Sequence, residues 1–181
     1  MKFLHHTYTS PAFNLALEEY LFKQQDDFFL LWRNEPCIVA GKHQNLLAEI
    51  DHTFLIHQSI PVYRRISGGG TVYHDLGNIN FSVILTRPRE KLVDFRRYMA
   101  PVFHTLQKMG LQVEYSERND IYLEGKKISG NAEHAVRDRV LHHGTILYDA
   151  QLDTLRASLK DNRAKFKGRS VASVPAHVAN I

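Results

Sequence analysis

Cysteine is nearly absent from the sequence, because Cys37 is the single one among 181 residues. One cysteine excludes an internal disulfide framework and is typical of a protein from a reducing compartment. No apolar run is long enough to span a bilayer, and the first residues lack the apolar stretch of a signal peptide. We therefore expect a cytoplasmic protein with no membrane partner.

No block of one charge sign dominates the chain. Lys and Arg number 23 against 19 Asp and Glu, for a formal net charge of +4, and the basic residues are scattered along the sequence. Proteins that bind DNA or RNA usually carry a basic patch or stripe, so we expect no nucleic-acid partner. The modest positive excess suits an anionic ligand or an acidic protein partner instead.

The common metal and nucleotide signatures are missing as well. The eleven histidines include no H-E-x-x-H motif, and the adjacent His142 and His143 would project from opposite faces of a strand. We expect no metal site built from protein ligands alone. One histidine of this pair and His74 are better candidates for lining a pocket. Neither a Walker A loop nor G-x-G-x-x-G occurs, so any nucleotide site is of another type.

What is present is a series of short strand-like segments interrupted by a few helical ones. Ser10 is a predicted N-cap, residues 47–60 are typical of one short helix, and Pro101 predicts a kink or a division in a longer helix. The apolar runs FFLLWR and CIVAGK, joined by residues 34–36, are predicted to form a hairpin or neighbouring strands. Without regular β-α-β alternation, the pattern predicts an α+β fold with mixed, largely antiparallel β-sheets flanked by helices.

The segment RRISGGGTVYHD, residues 64–75, places three glycines directly behind two cations. Glycine clusters often mark nothing more than a turn. They also let backbone N–H groups approach and surround a phosphate, because no side chain stands in the way. Arg64 and Arg65 would point to opposite faces of a strand, so at most one of them lines the same pocket. Both interpretations of the glycines stay open at this point.

A second segment, RNDIYLEGKKISGNA, covers residues 118–132. Asp120 precedes a strand-like run and Gly125 predicts a tight turn. Lys126 and Lys127 then lead into Ser-Gly. A surface hairpin with solvated lysines is the plainest interpretation. Because neighbouring strand residues alternate in direction, however, one lysine can point inward, where it requires an anion.

These segments together resemble the lipoate–protein ligase A family. The resemblance rests on RRISGGGTVYHDLGNINFS, RNDIYLEGKKISGNA and LHHGTILYDAQLDTL in that order, with FNLALEEYLF and LWRNEPCIVAGKHQN before them. It implies the class II synthetase-like catalytic domain that biotin and lipoate ligases share. We expect one such domain over residues 1–181, incomplete at its C-terminus, with the small accessory domain absent.

The resemblance implies a ligase that uses ATP and Mg²⁺ to activate lipoate, or octanoate, as an acyl-adenylate. The acyl group then passes to a lysine of apo lipoyl domains from 2-oxoacid dehydrogenase E2 subunits or of the glycine-cleavage H protein, and a separate accessory polypeptide is a further candidate partner. Lys127 matches the catalytic lysine, and Asp120 is a candidate for the Mg-phosphate region. The matched nucleotide-binding positions are Arg65, Gly70, Thr71, Val72, Tyr73 and Lys127. The matched lipoate-pocket positions are Trp32, Arg65, Ser67, Gly69, His74, Lys127 and Ala132.

Two other functions compete with this one. An octanoyl- or lipoyl-transferase of the same superfamily would carry the acyl group on a cysteine thioester, and Cys37 is the one candidate. Its apolar setting, CIVAG, is more typical of a buried small residue than of a nucleophile. A non-catalytic acyl-binding paralogue is the second alternative.

Overall fold

The computed structural model describes residues 1–87, 93–160, 173 and 176–181. The largest sheet has five strands in the order β1-β2-β6-β11-β10, and all its pairings are antiparallel except that of β1 with β2. Its strands are β1 (Lys2–His5), β2 (Phe28–Trp32), β6 (Asn78–Thr86), β10 (Asn131–Val136) and β11 (Arg139–Leu147).

Two three-stranded sheets complete the β-structure of the described residues. One has the order β4-β3-β5 and the other the order β7-β8-β9. In the first, β3 is parallel to β4 and antiparallel to β5, whereas the second is entirely antiparallel. The α+β fold with mixed, largely antiparallel sheets is therefore confirmed. These strands are β3 (Cys37–Ala40), β4 (Val62–Arg64), β5 (Val72–His74), β7 (Val113–Tyr115), β8 (Ile121–Leu123) and β9 (Lys126–Ser129).

Helices cover both faces of the large sheet. The helices are α1 (Pro11–Phe22), α2 (Leu46–Glu49), α3 (His52–His57), α4 (Phe95–Lys108) and α5 (Leu152–Ser158). Successive residues of β6 point to opposite faces, so Phe81 and Val83 pack with α4 while Ile84 packs with α1. Ser10 caps α1 as predicted, its hydroxyl accepting a hydrogen bond from the Phe13 amide at 3.4 Å.

The prediction that FFLLWR and CIVAGK form neighbouring strands is wrong. The strands β2 and β3 belong to different sheets. Their connection is held by Asn34, which is fully buried and hydrogen-bonded to Asn14 and His74, 20 and 40 residues away. A tight hairpin turn would leave this side chain in solvent. The buried contacts therefore direct the two strands into separate layers.

Two helix predictions also need correction. Residues 47–60 hold α2 and α3 in place of a single helix, because Ile50 bridges to Leu159 and Asp51 starts a new helix by capping the Phe54 amide.

Pro101, by contrast, lies inside one helix and does not divide it. That helix begins at Phe95 after the Asp94 cap, and residues 88–92 lie outside the described part of the chain. Among the described helices, none is long and apolar enough to cross a membrane.

Candidate active site

Two cavities meet between the sheets. The first has a volume of about 320 Å³ and the second about 440 Å³. Residues of the large sheet, of β5 and of the loop over residues 68–70 line the first cavity, whereas α5 contributes to the second. The two cavities share a wall, which we call the junction. Its residues are Thr71, Val72, Lys127, Gly130, Thr145 and Ser173.

Lys127 reaches the junction because β9 alternates in direction. Lys126 is exposed, whereas the Lys127 side chain is only 24% exposed. Its Nζ lies 3.0 Å from Oδ2 of Asp120, whose side chain is 14% exposed and lines the first cavity. Gly125, with φ of +72°, makes the tight turn that sets this register. The junction therefore holds a partly buried cation paired with a carboxylate.

Arg65 shapes the loop over residues 68–70 from behind. Its guanidinium donates to the carbonyl oxygens of Gly68 at 2.6 Å, Gly70 at 2.8 Å and Val39 at 3.1 Å. Burial lowers the pKa of Arg65 to about 10, so the group is still cationic at neutral pH. Arg64 lies on the exposed face and donates to other carbonyls. The predicted opposite orientation of the two arginines is confirmed.

The three glycines of this loop differ in what an added side chain would meet. Gly69 adopts φ of +84°, a region that favours glycine, and a Cβ there would lie 2.9 Å from the Arg65 guanidinium. A Cβ at Gly70 would lie 3.0 Å from Oγ of Ser173, which also accepts a hydrogen bond from the Thr71 amide at 3.0 Å. A Cβ at Gly68 would meet nothing within 4 Å. The loop is therefore a turn, and it also brings backbone groups to the junction.

A polar chain runs beneath the first cavity. The Trp32 indole donates to Ser82 Oγ at 2.9 Å, and the Ser82 hydroxyl donates to Glu18 Oε1 at 2.6 Å. His143 Nδ1 lies 2.8 Å from the same carboxylate oxygen. Because the Glu18 carboxylate accepts both bonds, Nδ1 of His143 carries a proton.

The other end of this chain reaches Arg65. His143 Nε2 lies 2.7 Å from Ser67 Oγ, which accepts a hydrogen bond from Arg65 Nε at 2.9 Å. An arginine can only donate, so the Ser67 hydroxyl has its own proton left for His143 Nε2. The chain therefore links the cavity floor to the loop that Arg65 holds. Ser67 itself is fully buried behind the cavity wall.

His142 and His143 do project from opposite faces, as predicted. His143 lines the first cavity, whereas His142 packs on the other face among Phe81, Phe95 and Tyr98. Burial lowers the pKa of His142 to about 3. Within the described residues, no group of three or more His, Cys, Asp or Glu side chains is placed to hold a metal ion.

Cys37 is buried in β3 and does not reach either cavity wall. Burial raises the pKa of its thiol to about 12. A thiol with this pKa is almost entirely protonated at neutral pH, and the thiolate is the reactive form. The surroundings of Cys37 therefore oppose a role as an acyl carrier.

The structure brings most of the predicted site residues together. Ser67 is set back as described, and Tyr73 lines the second cavity. The first cavity is lined by Trp32, Arg65, Gly69, Gly70, Thr71, Val72, His74, Asp120, Lys127 and Ala132. Sequence reasoning missed Glu18, although a signal was present. Asn14, Glu18 and Leu21 follow helical spacing on the buried face of α1, which places a carboxylate in the core.

Comparison with known proteins gives one consistent result. The lipoyl protein ligase A/B catalytic domain model matches residues 10–181. Lipoate–protein ligase 1 of Staphylococcus aureus is 42% identical over 185 residues, which cover all of this chain and 56% of that protein. The chain spans about half the length of the curated relatives it matches.

Solved structures agree with this match. A lipoate–protein ligase A bound with ATP superimposes with a TM-score of 0.82 at 27% identity, covering 99% of this chain and 76% of that one. A bipartite lipoate protein ligase of Thermoplasma acidophilum, solved in a study that includes its E2 lipoyl domain, gives a TM-score of 0.81 at 29% identity. That match covers 92% of this chain and 69% of the other.

Proposed function

The chain belongs to the lipoyl protein ligase A/B catalytic domain family, and from this premise we propose that it is the catalytic part of an ATP-dependent lipoate–protein ligase. The observation that carries the proposal is the position of Lys127 at the junction of two cavities, paired with Asp120. An acyl-adenylate has an apolar acyl part and a nucleotide part, joined through one phosphate. Two cavities that meet at a cation suit such a molecule.

In the first step an oxygen of the lipoate carboxylate attacks the α-phosphorus of ATP. The new acyl–phosphate bond forms as the bond from the α-phosphorus to the bridging oxygen breaks, and pyrophosphate leaves. Two unit charges 4 Å apart interact by about 4 kcal/mol at an effective dielectric constant near 20, so the two anions repel each other strongly. Lys127 offsets this repulsion and stabilises the negative charge of the transition state.

The first cavity suits the acyl chain. Trp32, Val39 and Leu15 are among its lining residues, and each methylene of a buried acyl chain contributes about 0.8 kcal/mol. The second cavity suits the adenosine part, because Leu147, Leu155 and Val178 contribute to its lining. Lipoate and octanoate share the carboxyl group and the apolar chain, so this arrangement accepts either one.

Asp120 is the residue that would hold Mg²⁺. Its carboxylate supplies an oxygen ligand, and Mg²⁺ is commonly bound through one or two carboxylates together with substrate phosphates. The ion would neutralise charge on the phosphate oxygens. The ion pair with Lys127 keeps the Asp120 carboxylate at the junction.

In the second step the ε-amine of an acceptor lysine attacks the acyl carbon, loses a proton and displaces AMP. We propose apo lipoyl domains of 2-oxoacid dehydrogenase E2 subunits or the glycine-cleavage H protein as acceptors. The study of the bipartite ligase with its E2 lipoyl domain supports the first of these. The same comparison makes a separate accessory polypeptide a candidate partner for the transfer step.

A transferase mechanism through a cysteine thioester is disfavoured by the burial and raised pKa of Cys37. A non-catalytic acyl-binding protein would use the first cavity but would not require the second one beyond Lys127. The ligase therefore accounts for more of the site than either alternative.

The test is lipoate-dependent exchange of ³²P between pyrophosphate and ATP, followed by mass spectrometry of an apo lipoyl domain added to the reaction. We expect exchange that requires lipoate and a mass increase of one lipoyl group on the acceptor. Lipoylation without pyrophosphate exchange, with a thioester trapped on the enzyme, would support the transferase. Lipoate binding with neither reaction would support the acyl-binding protein.

A further inference from the structure

Gly130 lies next to the Lys127 side chain, and its backbone conformation does not require a glycine. It is the single residue between β9 and β10, and it lines both cavities. The described glycines in the left-handed region of positive φ are Gly69, Gly110 and Gly125. Gly130 is outside that region, in a conformation that alanine can adopt. The reason for a glycine at this position therefore lies in its surroundings.

The nearest neighbour of Gly130 is the end of the Lys127 side chain. A Cβ at Gly130 would lie 3.1 Å from both Cε and Nζ of Lys127, and 3.9 Å from Oδ1 of Asp120. Non-bonded heavy atoms attract each other best at about 3.5–4.0 Å, so the two lysine distances are too short and the aspartate distance is ordinary. The end of the lysine thus occupies space that any side chain at position 130 would need.

Hydrogen bonds hold the backbones of both residues in place. The Lys127 amide donates to the His177 carbonyl oxygen at 2.8 Å, and its carbonyl oxygen accepts from the Ala179 amide at 3.1 Å. The Gly130 carbonyl oxygen accepts from the Thr145 amide at 3.1 Å, and the Gly130 amide donates to Thr145 Oγ1 at 3.4 Å. An added methyl group at Gly130 would therefore displace the Lys127 side chain and leave both backbones where they are.

The carboxylate that pairs with Lys127 is also held in place. Asp120 follows Asn119, whose carbonyl oxygen accepts a hydrogen bond from Asn131 Nδ2 at 3.1 Å, so the turn before Asp120 is attached to β10. Lys127 Nζ has this carboxylate 3.0 Å away and the bare α-carbon of Gly130 beside it. Restoring an ordinary contact with a Cβ requires a shift of about half an ångström, which moves the ammonium group relative to Asp120.

We propose that Gly130 is a positioning residue, because the absence of a side chain there lets Lys127 keep its ammonium group beside Asp120. This inference rests on the proposed function for what Lys127 does in the reaction. The packing of Lys127 against Gly130 does not depend on that function. Gly130 has no side chain of its own to contribute, so its effect must pass through Lys127.

The main test is a double-mutant cycle of Gly130→Ala with Lys127→Ala. Gly130→Ala alone should lower lipoate-dependent pyrophosphate exchange at least 10-fold, since a misplacement of about 1 Å can cost about 10²-fold in rate. Its melting temperature should stay near the wild-type value. Once Lys127→Ala has removed Cε and Nζ, the same methyl group meets no atom closer than Asp120 Oδ1 at 3.9 Å. It should then change the residual exchange by no more than about 2-fold.

Lys126→Ala provides the matched background for this cycle. Lys126 lies on the exposed face of the same strand, so Gly130→Ala should cost the same factor there as in the wild type. A methyl group that obstructed the ligand directly would lower exchange equally in both lysine backgrounds. Calorimetry with lipoate on Lys127→Ala, with and without Gly130→Ala, measures any such obstruction without relying on exchange.

A spectroscopic measurement tests the packing without any activity. In protein labelled with ¹³C-lysine, the Lys127 signals are identified by their loss in Lys127→Ala. The wild type should show a nuclear Overhauser effect between the α-protons of Gly130 and the ε-protons of Lys127. Gly130→Ala should shift the Lys127 ε signal and leave the Lys126 signal in place.

Three results would overturn the proposal. They are normal exchange by a folded Gly130→Ala protein, a loss that persists in the Lys127→Ala background, and a wild type without the Overhauser effect. The last of these needs no variant to fold. A wild type without lipoate-dependent exchange contradicts the proposed function instead, and the lysine spectra still decide whether Gly130 positions Lys127.

Discussion

Lys127 Nζ lies 3.0 Å from Asp120 Oδ2 at the junction of two cavities, while its neighbour Lys126 faces solvent. This pair of adjacent lysines allows a matched comparison, because the same substitution is possible on each face of one strand. In the proposed mechanism, Lys127→Ala removes the cation that lies between the carboxylate and the phosphate. We expect pyrophosphate exchange to fall about 10²- to 10³-fold, the usual cost of losing one electrostatic stabiliser of a transition state.

Lys126→Ala should retain exchange within about 2-fold, and circular dichroism should show both variants folded. Lys127→Ala also leaves Asp120 without its partner, so lipoate binding measured separately would show whether the pocket has changed. Near-normal exchange by a folded Lys127→Ala protein would remove Lys127 from the mechanism.

Strand alternation, a local rule, predicted that one of Lys126 and Lys127 points inward, and the family resemblance identified it as Lys127. The α+β class and the two opposed arginines followed from the same kind of pattern. The separation of β2 from β3 was not predictable, since it depends on Asn34 contacts with residues 20 and 40 positions away. The role of Glu18 was predictable only in part. Helical spacing places it on the buried face of α1, but only the fold reveals its bonds to Ser82 and His143.

Cys37→Ser tests the thioester alternative. The ligase mechanism uses no enzyme thiol, so we expect exchange and transfer within about 2-fold of the wild type. The new hydroxyl is buried, and its burial costs about 1–3 kcal/mol of stability unless it finds a partner. The Asn34 amide lies 3.7 Å from Sγ, a distance that suits a sulfur acceptor but is too long for a hydrogen bond to the serine oxygen. Thermal unfolding measures this cost, and loss of transfer by a folded variant would return Cys37 to the mechanism.

Alanine substitutions at the three glycines of the loop over residues 68–70 form a graded series. Gly70→Ala places a methyl group 3.0 Å from Ser173 Oγ, beside the Thr71 amide that the family resemblance assigns to the nucleotide. We expect ATP affinity to fall at least 5-fold with little change in melting temperature. Gly69→Ala should lower both stability and affinity, because its φ of +84° strains any other residue.

Gly68→Ala is the control for this series, since its Cβ meets nothing within 4 Å. It should bind ATP normally and melt at the wild-type temperature or slightly above it. Binding is measured by calorimetry and stability by thermal unfolding. If Gly70→Ala also binds ATP normally, the loop is a turn and its main chain does not contact the nucleotide.

Glu133 gives a prediction for the pH dependence of stability. Its carboxylate lies 3.0 Å from His142 Nδ1 and accepts a hydrogen bond from the Asp94 backbone, on the sheet face away from the cavities. Burial, with the charge of Asp94 second, raises the pKa of Glu133 to about 7 from the usual 4.5. The folded state therefore binds this proton more tightly than the unfolded state. The stability it provides is complete below about pH 4.5 and is lost as the pH rises through 7.

Glu133→Gln keeps an oxygen that accepts from His142 but carries no titrating proton. We expect the variant to gain stability relative to the wild type as the pH rises from 4.5 to 7, by about 1–2 kcal/mol after allowance for solvent screening. His142 stays neutral in the folded state but binds a proton in the unfolded state below about pH 6.5, so it changes the stability of both proteins alike and cancels in their difference. Urea unfolding of both proteins at half-unit pH steps gives the difference directly. A difference that stays constant from pH 4.5 to 8 would show that the Glu133 carboxyl has an ordinary pKa.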